Sequence, residues 1–408
     1  MKILELNAYY NYGSTGHIVR DLCKEGRKLG HDMYAIYWLF CDEKLNSDKI
    51  IFCGEKKEPS TFAKICQWIF DGGKLNYNLE RTNRIVRQIK IIKPDIIHLH
   101  NLHGDFEYGS IDLKMLFETI ADTGSKVIWT LHDCWPITGR CYYFSYKHCE
   151  KWMNGCGKCP QKFFDREGIF FDHSNKNWEK KSNIYKMIDD LTIVTVSNWL
   201  KSVVQKSILK DRRIITIYNG IDTDVYKPKK TSREQNKMRI LCIGWDRRKG
   251  YKDYYRLATL LSEEDEIIVV GRRPFFRRFH SIPNNMKEVD RATSKEKMAN
   301  IYRSCDVYFN ASPAETFGLT TVEALACGTP VIGYKNTATI EIIEAIGEGS
   351  YLVTDGAVDE VKEKLDILKK SSINEEKMHK KCHELFRHSR MLDSYMNLYT
   401  EVVAREDR

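Results

Sequence analysis

Glu315-Thr316-Phe317-Gly318-Leu319-Thr320-Thr321-Val322-Glu323-Ala324-Leu325-Ala326-Cys327-Gly328-Thr329-Pro330-Val331 is the stretch from which the fold of this chain is read. Leu319, Val322 and Leu325 with Ala326 recur at the three- and four-residue spacing of a helix with one inward face. β-rich runs flank that helix, residues 306–310 before it and 329–332 after it. Strand, loop, helix, strand is the building unit of a parallel sheet. Glu323 interrupts a nearly apolar stretch, where a carboxylate is costly unless something donates to it; a ribose diol offers two donors. Gly318 opens the helix and leaves backbone N–H groups bare, a ready place for an anion such as a diphosphate. Glu315, in the loop ahead, is within reach of a sugar hydroxyl. The purely structural alternative is an ordinary helix carrying a solvated glutamate.

The same rhythm extends in both directions. Residues 238–243, 266–270 and 351–353 read as further strands of this half, with helices between them. Upstream, strands are expected at 2–6, 33–38, 95–100, 126–131, 191–196 and 213–217. A helix over 16–29 turns Ile18, Val19, Leu22 and Leu29 inward. The rhythm pauses over residues 218–237, where Asn219-Gly220, Pro228 and mixed charges suggest a linker. The expected order is therefore a Rossmann-like domain over 1–217 with a Cys-rich insert at 134–171, a linker at 218–237, and a second Rossmann-like domain over 238–385. A helix over 386–408 would pack back on the first domain. Two doubly wound α/β domains facing each other across a cleft bind ligands at the carboxyl ends of their strands.

Composition fits this class. The chain has 408 residues, 42% of them apolar and 30% charged, enough for two real cores under a solvated surface. Its N-terminus does not read as a signal peptide, and no apolar run reaches the roughly 18 residues of a membrane span. A cytoplasmic location is expected, and in that reducing compartment the 13 cysteines are thiols or metal ligands rather than disulfides. The net charge of +9 suits anionic partners such as sugar nucleotides or an anionic lipid surface, and is too dispersed for nucleic acid.

Residues 315–331 closely resemble the E-x7-E signature of the family-4 retaining glycosyltransferases. Asn219-Gly220-Ile221-Asp222 with Tyr226 and Pro228 resembles that family's linker motif, and Gly13-Ser14-Thr15-Gly16 its N-terminal glycine loop. The runs ending at His100 and at His132-Asp133 resemble strand ends that face its cleft. The resemblance covers nearly the whole chain and implies the GT-B fold. It implies that Glu323 binds the donor ribose, that Glu315 contacts the transferred sugar, and that His132 lies next to the reacting carbon. Thr316, Phe317, Gly318 and Leu319 would line the donor, with Gly13 and Gly16 approaching it from the first domain. In Gly244-Trp245-Asp246-Arg247-Arg248-Lys249-Gly250, Lys249 matches the family's lysine, which neutralises the leaving diphosphate. Trp245 stands where the family carries arginine, and Arg247 is the candidate substitute. The structural alternatives are a tight turn for the glycine loop, a solvated basic turn here, and a backbone-bonded histidine for His132.

Other clusters bear on cofactors. His98, His100 and His103 suggest a metal, but a structural or acceptor-contacting role is favoured because the resemblance implies such a strand end without one. Asp222-Thr223-Asp224 reads as a turn inside the linker motif, so no metal is expected for catalysis. Cys141, Cys149, Cys156 and Cys159 surround the tight Cys-Gly-Lys-Cys knuckle and suffice for tetrahedral zinc; the alternative is a set of buried thiols. Aromatic residues within 61–70, with Arg81, Arg84 and Arg87 turned outward, suit a peripheral membrane face, although core packing under a solvated face is the favoured alternative. Residues 272–279 suit a second membrane contact or a lid.

The expected activity is transfer of a hexose-type sugar, with retention, from a UDP- or GDP-sugar to a glycan or lipid-linked acceptor in capsule, O-antigen or exopolysaccharide assembly. A nucleotide-sugar epimerase or a phosphorylase on the same fold is the second reading, separated by product analysis. A zinc-stapled glycan- or partner-binding module is the third, and predicts a function insensitive to Glu323→Ala.

Overall fold

The computed structural model describes residues 1–41, 47–54, 79–103, 111–161, 172–229, 237–274 and 281–405. The chain divides into two compact units, Met1–Ile217 with Leu392–Arg408, and Tyr218–Met391.

Among the described residues the first unit has nine strands: β1 (Lys2–Leu6), β2 (Tyr9–Tyr10), β3 (Asp32–Tyr37), β4 (Phe40–Cys41), β5 (Ile50–Phe52), β6 (Ile96–Leu99), β7 (Lys126–Leu131), β8 (Leu191–Thr195) and β9 (Arg213–Thr216). Seven of them form a parallel sheet in the order β5-β3-β1-β6-β7-β8-β9, while β2 and β4 pair separately. The chain winds outward from β1 in one direction and then restarts at β6 in the other. The loops after β1 and β6 therefore flank a topological switch point, the place where a doubly wound sheet opens to ligands. β6 and β8 are buried along their whole length, mostly apolar but with His98 in β6 and Thr192 and Thr195 in β8.

The second unit repeats the plan with β10 (Arg239–Ile243), β11 (Glu266–Val270), β12 (Met286–Val289), β13 (Val307–Asn310), β14 (Val331–Tyr334) and β15 (Tyr351–Val353). Their order is β12-β11-β10-β13-β14-β15, all parallel, with the switch between β10 and β13. Its core joins Ile240, Cys242, Ile267, Val269, Phe309 and Ile332 from the sheet to Tyr254, Leu257 and Leu365 from the helices. Each aliphatic side chain so buried contributes roughly 1.5–3 kcal/mol.

Several expectations are corrected. The first helix starts at Gly13, not Gly16, so the glycine loop is already its first turn. β12 was not expected because it is an edge strand with one buried residue, Met286, and charged outward positions. Arg81 is buried rather than outward: on the helix Leu79–Ile92 it lies four residues before Ile85, which puts it on the face of Ile85, Ile89 and Ile92. Arg84 is only partly outward, since its guanidinium donates to the carbonyls of Cys53 and Gly54. The start of the expected linker is hydrogen bonded within the second unit: Ile221 N–H donates to Phe386 O at 2.8 Å, and His388 N–H to Ile221 O at 2.9 Å. Residues 61–70, 162–171 and 275–279 of the expected surface and Cys-rich segments lie outside the described residues.

Candidate active site

In the second unit two loops meet at the switch point. The loop after β10 runs through Gly244, at φ +86°, into a short 3-10 turn, Arg247–Lys249. Asp246 caps this turn by accepting from the N–H groups of Arg248 and Lys249. Gly250, at φ +72°, closes it; a Cβ there would sit 2.1 Å from the Ala311 carbonyl oxygen. That approach lays the turn on the loop after β13, where Ser312 Oγ donates to Arg248 O at 3.0 Å. Lys249 Nζ thereby reaches Glu315 Oε1 at 2.8 Å. Burial works against the lysine's charge, but Glu315 outweighs it and the Lys249 pKa is raised. Arg247 stands exposed on the same turn. Trp245 is in the core, its Nε1–H donating to Gly271 O at 2.7 Å, with the Arg273 guanidinium over its ring. Arg273 is held by Glu288, and Arg272 by Asp290.

Gly318, at φ +90°, opens the helix Leu319–Ala326. In such a helix the first N–H groups have no partner within the helix. Phe317 is buried against Tyr218 and Phe386, so its ring is committed to packing, and Thr316 is buried beside it. Leu319 is half-buried rather than fully inward, because it occupies the first turn. Glu323, one turn on, is also half-buried. Tyr302 Oη–H donates to its Oε2 at 2.9 Å, and the Tyr226 hydroxyl donates to it as well. Burial nevertheless dominates and lifts its pKa to about 7. Tyr302 had no signal in the sequence; it comes from a different helix, Lys295–Arg303. The Asp222-Thr223-Asp224 triplet is a turn, with Asp222 accepting from Val225 N–H.

In the first unit His132 follows the end of β7. Its Nε2 lies 3.1 Å from Nδ1 of His100, and the two rings stack. Burial, then the neighbouring histidines, push its pKa well below the ordinary value, so the ring is neutral. His98 and His100 come together as alternate strand residues should, and Glu5 joins them from β1. His103 does not: it pairs with Asp133 at 2.8 Å. Gly13 (φ +62°) has open space at its Cβ position, whereas a Cβ on Gly16 would meet Tyr9, Tyr10 and Asn11 at 3.2–3.3 Å.

Cys141, Cys149, Cys156 and Cys159 line one cavity with Arg140 and Lys151. The knuckle is shaped by positive φ at Gly155, Gly157 and Lys158 and clamped by Lys151, whose Nζ donates to the carbonyls of Gly157 and Lys158. The Gly139 N–H donates to Cys156 Sγ at 3.2 Å, and the Gln161 N–H donates to the Cys159 sulfur. Burial pushes the Cys156 thiol up to about 11. The sulfurs are not gathered as tightly as ligands on an ion: among the described residues, the group whose ligand atoms all lie within 4.8 Å is Glu5, His98 and His100.

The model of the family described as Glycosyltransferase Family 4 matches residues 15–225, more than half of the chain, and that of Glycosyl transferases group 1 matches residues 225–384. The chain belongs to glycosyltransferase family 4. Among relatives of this family-4 chain, a protein of Escherichia coli named as a colanic acid biosynthesis glycosyl transferase is 25% identical over 65% of this chain and 66% of its own. The N-acetyl-alpha-D-glucosaminyl L-malate synthase of Bacillus anthracis is 26% identical over 54% of this chain and 62% of its own. An uncharacterized 41.2 kDa protein in the cps region of Klebsiella pneumoniae is 26% identical over 77% and 81%. The chain thus spans just under two thirds of the length of the first two. Sucrose-phosphate synthase from Thermosynechococcus elongatus superposes with a TM-score of 0.69 at 14% identity, covering 99% of both chains. Anabaena HepE in complex with UDP-glucose gives 0.63 at 14% identity, covering 98% of this chain and 100% of its own. The fold of the family-4 chain is GT-B, two Rossmann-like α/β units.

Proposed function

We propose that this family-4 chain transfers a hexose-type sugar, with retention, from a UDP- or GDP-sugar to a glycan or lipid-linked acceptor in cell-surface polysaccharide assembly. The observation that carries the reading is the set at the β10/β13 switch: Lys249 paired with Glu315 at 2.8 Å, the helix opening at Gly318, and Glu323 on that helix. The donor ribose binds Glu323, whose ionised form accepts from both hydroxyls of a diol. The diphosphate lies against Lys249, Arg247 and the helix opening, which stabilise the charge that develops on it. Glu315 accepts from a hydroxyl of the transferred sugar, and His132 from another. The bond from C1 to the leaving phosphate oxygen breaks with its electron pair. The acceptor oxygen bonds C1 on the same face, and its proton passes to the departing phosphate. Positive charge for this step comes from Lys249 and the helix opening, without a catalytic metal.

Support for the donor class comes from HepE, solved with UDP and UDP-glucose. Support for polysaccharide assembly comes from the names of the Escherichia coli and Klebsiella relatives. We place the enzyme at the cytoplasmic face of the membrane, where a lipid-linked acceptor is met; no described helix is long and apolar enough to cross it. A structural zinc in the cysteine cavity would be held by its four thiols: backbone N–H groups already donate to two of them, and Arg140 and Lys181 would offset thiolate charge.

Thermal-shift screening against UDP, GDP, CMP and their common sugars, repeated with Glu323→Ala, tests the reading. A rise in Tm with one nucleotide family, lost in the variant, is expected. No shift with any nucleotide in a folded sample refutes the donor site. Product analysis then separates transfer from epimerisation and phosphorolysis.

A further inference from the structure

Beneath His132 lies a buried polar cluster that the transfer reaction above does not use. Glu5, His98 and His100 are buried in the sheet of the first unit. The register of β1 on β6 sets Glu5 beside His98, and the helix His388–Ala404 brings Tyr395 and Tyr399, one turn apart, to the same place. The contacts are His100 Nε2 to Glu5 Oε2 at 2.8 Å, Tyr399 Oη to Glu5 Oε1 at 2.7 Å, His98 Nδ1 to Tyr399 Oη at 2.7 Å, His98 Nε2 to Thr130 Oγ1 at 2.8 Å, and Thr130 Oγ1 to Tyr395 Oη at 3.1 Å.

Donor and acceptor parity fixes the protons from Glu5 through His100 to His132. An ionised carboxylate only accepts, so Tyr399 donates to Oε1 and His100 donates its Nε2–H to Oε2. A neutral imidazole has one N–H, so Nδ1 of His100 carries a lone pair and only accepts. His132 Nε2, 3.1 Å away, must therefore donate to it. The proton of His132 is then on Nε2, and its Nδ1 is an acceptor. On the other side, the Tyr399 oxygen accepts from His98 Nδ1–H, and His98 Nε2 is hydrogen bonded to Thr130 Oγ1, which in turn meets Tyr395. The ligand atoms of Glu5, His98 and His100 lie close enough for a metal ion, but each is already engaged in this chain of hydrogen bonds. Burial would raise the Glu5 pKa; His98 and His100 outweigh it and hold it at about 2, so the carboxylate stays ionised at any working pH.

We propose that Glu5 and His100 are positioning residues for the transfer: through His100, the buried carboxylate fixes His132 in the neutral Nε2–H tautomer, so that it presents Nδ1 as an acceptor for a hydroxyl of the donor sugar. This rests on the reading that His132 meets that sugar. A tautomer lock of this kind is how an orienting carboxylate acts through a histidine in other enzymes.

The test uses the full chain labelled with 15N-histidine. Long-range proton–nitrogen correlation spectra report the tautomer of His132, whose signal is assigned with His132→Asn. The wild type shows the Nε2–H form at neutral pH. His100→Leu keeps apolar packing but removes the acceptor, and the His132 signal then moves toward the Nδ1–H form or a mixture. His100→Gln carries a donor toward Glu5 and an acceptor toward His132, and restores the Nε2–H signal. Hydrolysis of UDP-glucose and GDP-mannose, read as nucleoside diphosphate release, falls at least tenfold in kcat for His100→Leu and recovers in part for His100→Gln. A wild-type His132 protonated on Nδ1, or a tautomer unmoved in His100→Leu, overturns the relay. A tautomer that changes while kcat does not overturns the placement of His132 at the sugar. Should His100→Leu not fold, the wild-type tautomer and Glu5→Gln, which removes the anion but not the side-chain volume, decide the matter by the same signals.

Discussion

Glu323 has a pKa of about 7, so if the donor ribose binds it as proposed, donor binding should depend on pH in a range where the enzyme can be assayed. The rise comes from burial, which the hydroxyls of Tyr302 and Tyr226 only partly offset. A ribose diol donates two hydrogen bonds and needs the ionised carboxylate. About one molecule in eleven carries it at pH 6 and ten in eleven at pH 8, so the association constant should rise roughly tenfold, about 1.4 kcal/mol. Titration calorimetry with UDP-glucose or a GDP-sugar is the assay, because a diphosphate diester has no proton to lose in this interval. Glu323→Gln should bind weakly and with no slope. Tyr302→Phe removes a donor to the anion and should move the midpoint upward. Stability must change in the opposite sense. A carboxyl whose native pKa is raised stabilises the fold below its unfolded value of 4.5, and that contribution is lost as pH rises toward 7. The full difference is about 3 kcal/mol. Wild-type affinity that is flat or falls between pH 6 and 8, or a slope that survives in Glu323→Gln, would refute the assignment of Glu323 to the ribose.

Lys249→Met keeps the stem of the side chain but removes the charge that meets Glu315 and, in the proposed complex, the diphosphate, so kcat should drop on the order of 10²-fold in steady-state assays, with a smaller change in donor Kd. Gly250→Ala forces a Cβ to within 2.1 Å of the Ala311 carbonyl at a positive φ, a strain of about 1–3 kcal/mol that should lower Tm in calorimetry by several degrees. Gly13→Ala, with open space at its Cβ, should cost less. Metal analysis of protein purified without chelator should find about one zinc per chain, and Cys156→Ser with Cys159→Ser should abolish it; a metal-free, fully folded wild type would show the cavity to be one of thiols only.

Much of this was legible because the physics is local. The central strands of a doubly wound sheet are buried on both faces, and runs such as Leu191–Thr195 announce that by having no exposed position. Gly318 and Glu323 were legible because one helix fixes both the opening and the carboxylate a turn later. What escaped was set by register and by contacts distant in the chain. β12 is half solvated, and only its pairing with β11 makes it a strand. Arg81 was misplaced by a phase error of one helical position, although its four-residue spacing from Ile85 was there to be counted. Glu5 is the instructive case. In Lys2–Leu6 it reads as an ordinary polar position, yet it is fully buried, with partners at His100 and Tyr399. The signal was nevertheless present in two parts. A carboxylate in the first strand of a sheet covered on both faces has no solvent to face, and so must find donors on a neighbouring strand. The neighbour of β1 at the switch point is the strand that carries His-x-His, with one histidine level with Glu5 and the other two residues on, on the same face. Fold topology and the cost of an unpartnered charge together therefore specify the pairing, and with it the neutrality of the histidine at the end of the next strand.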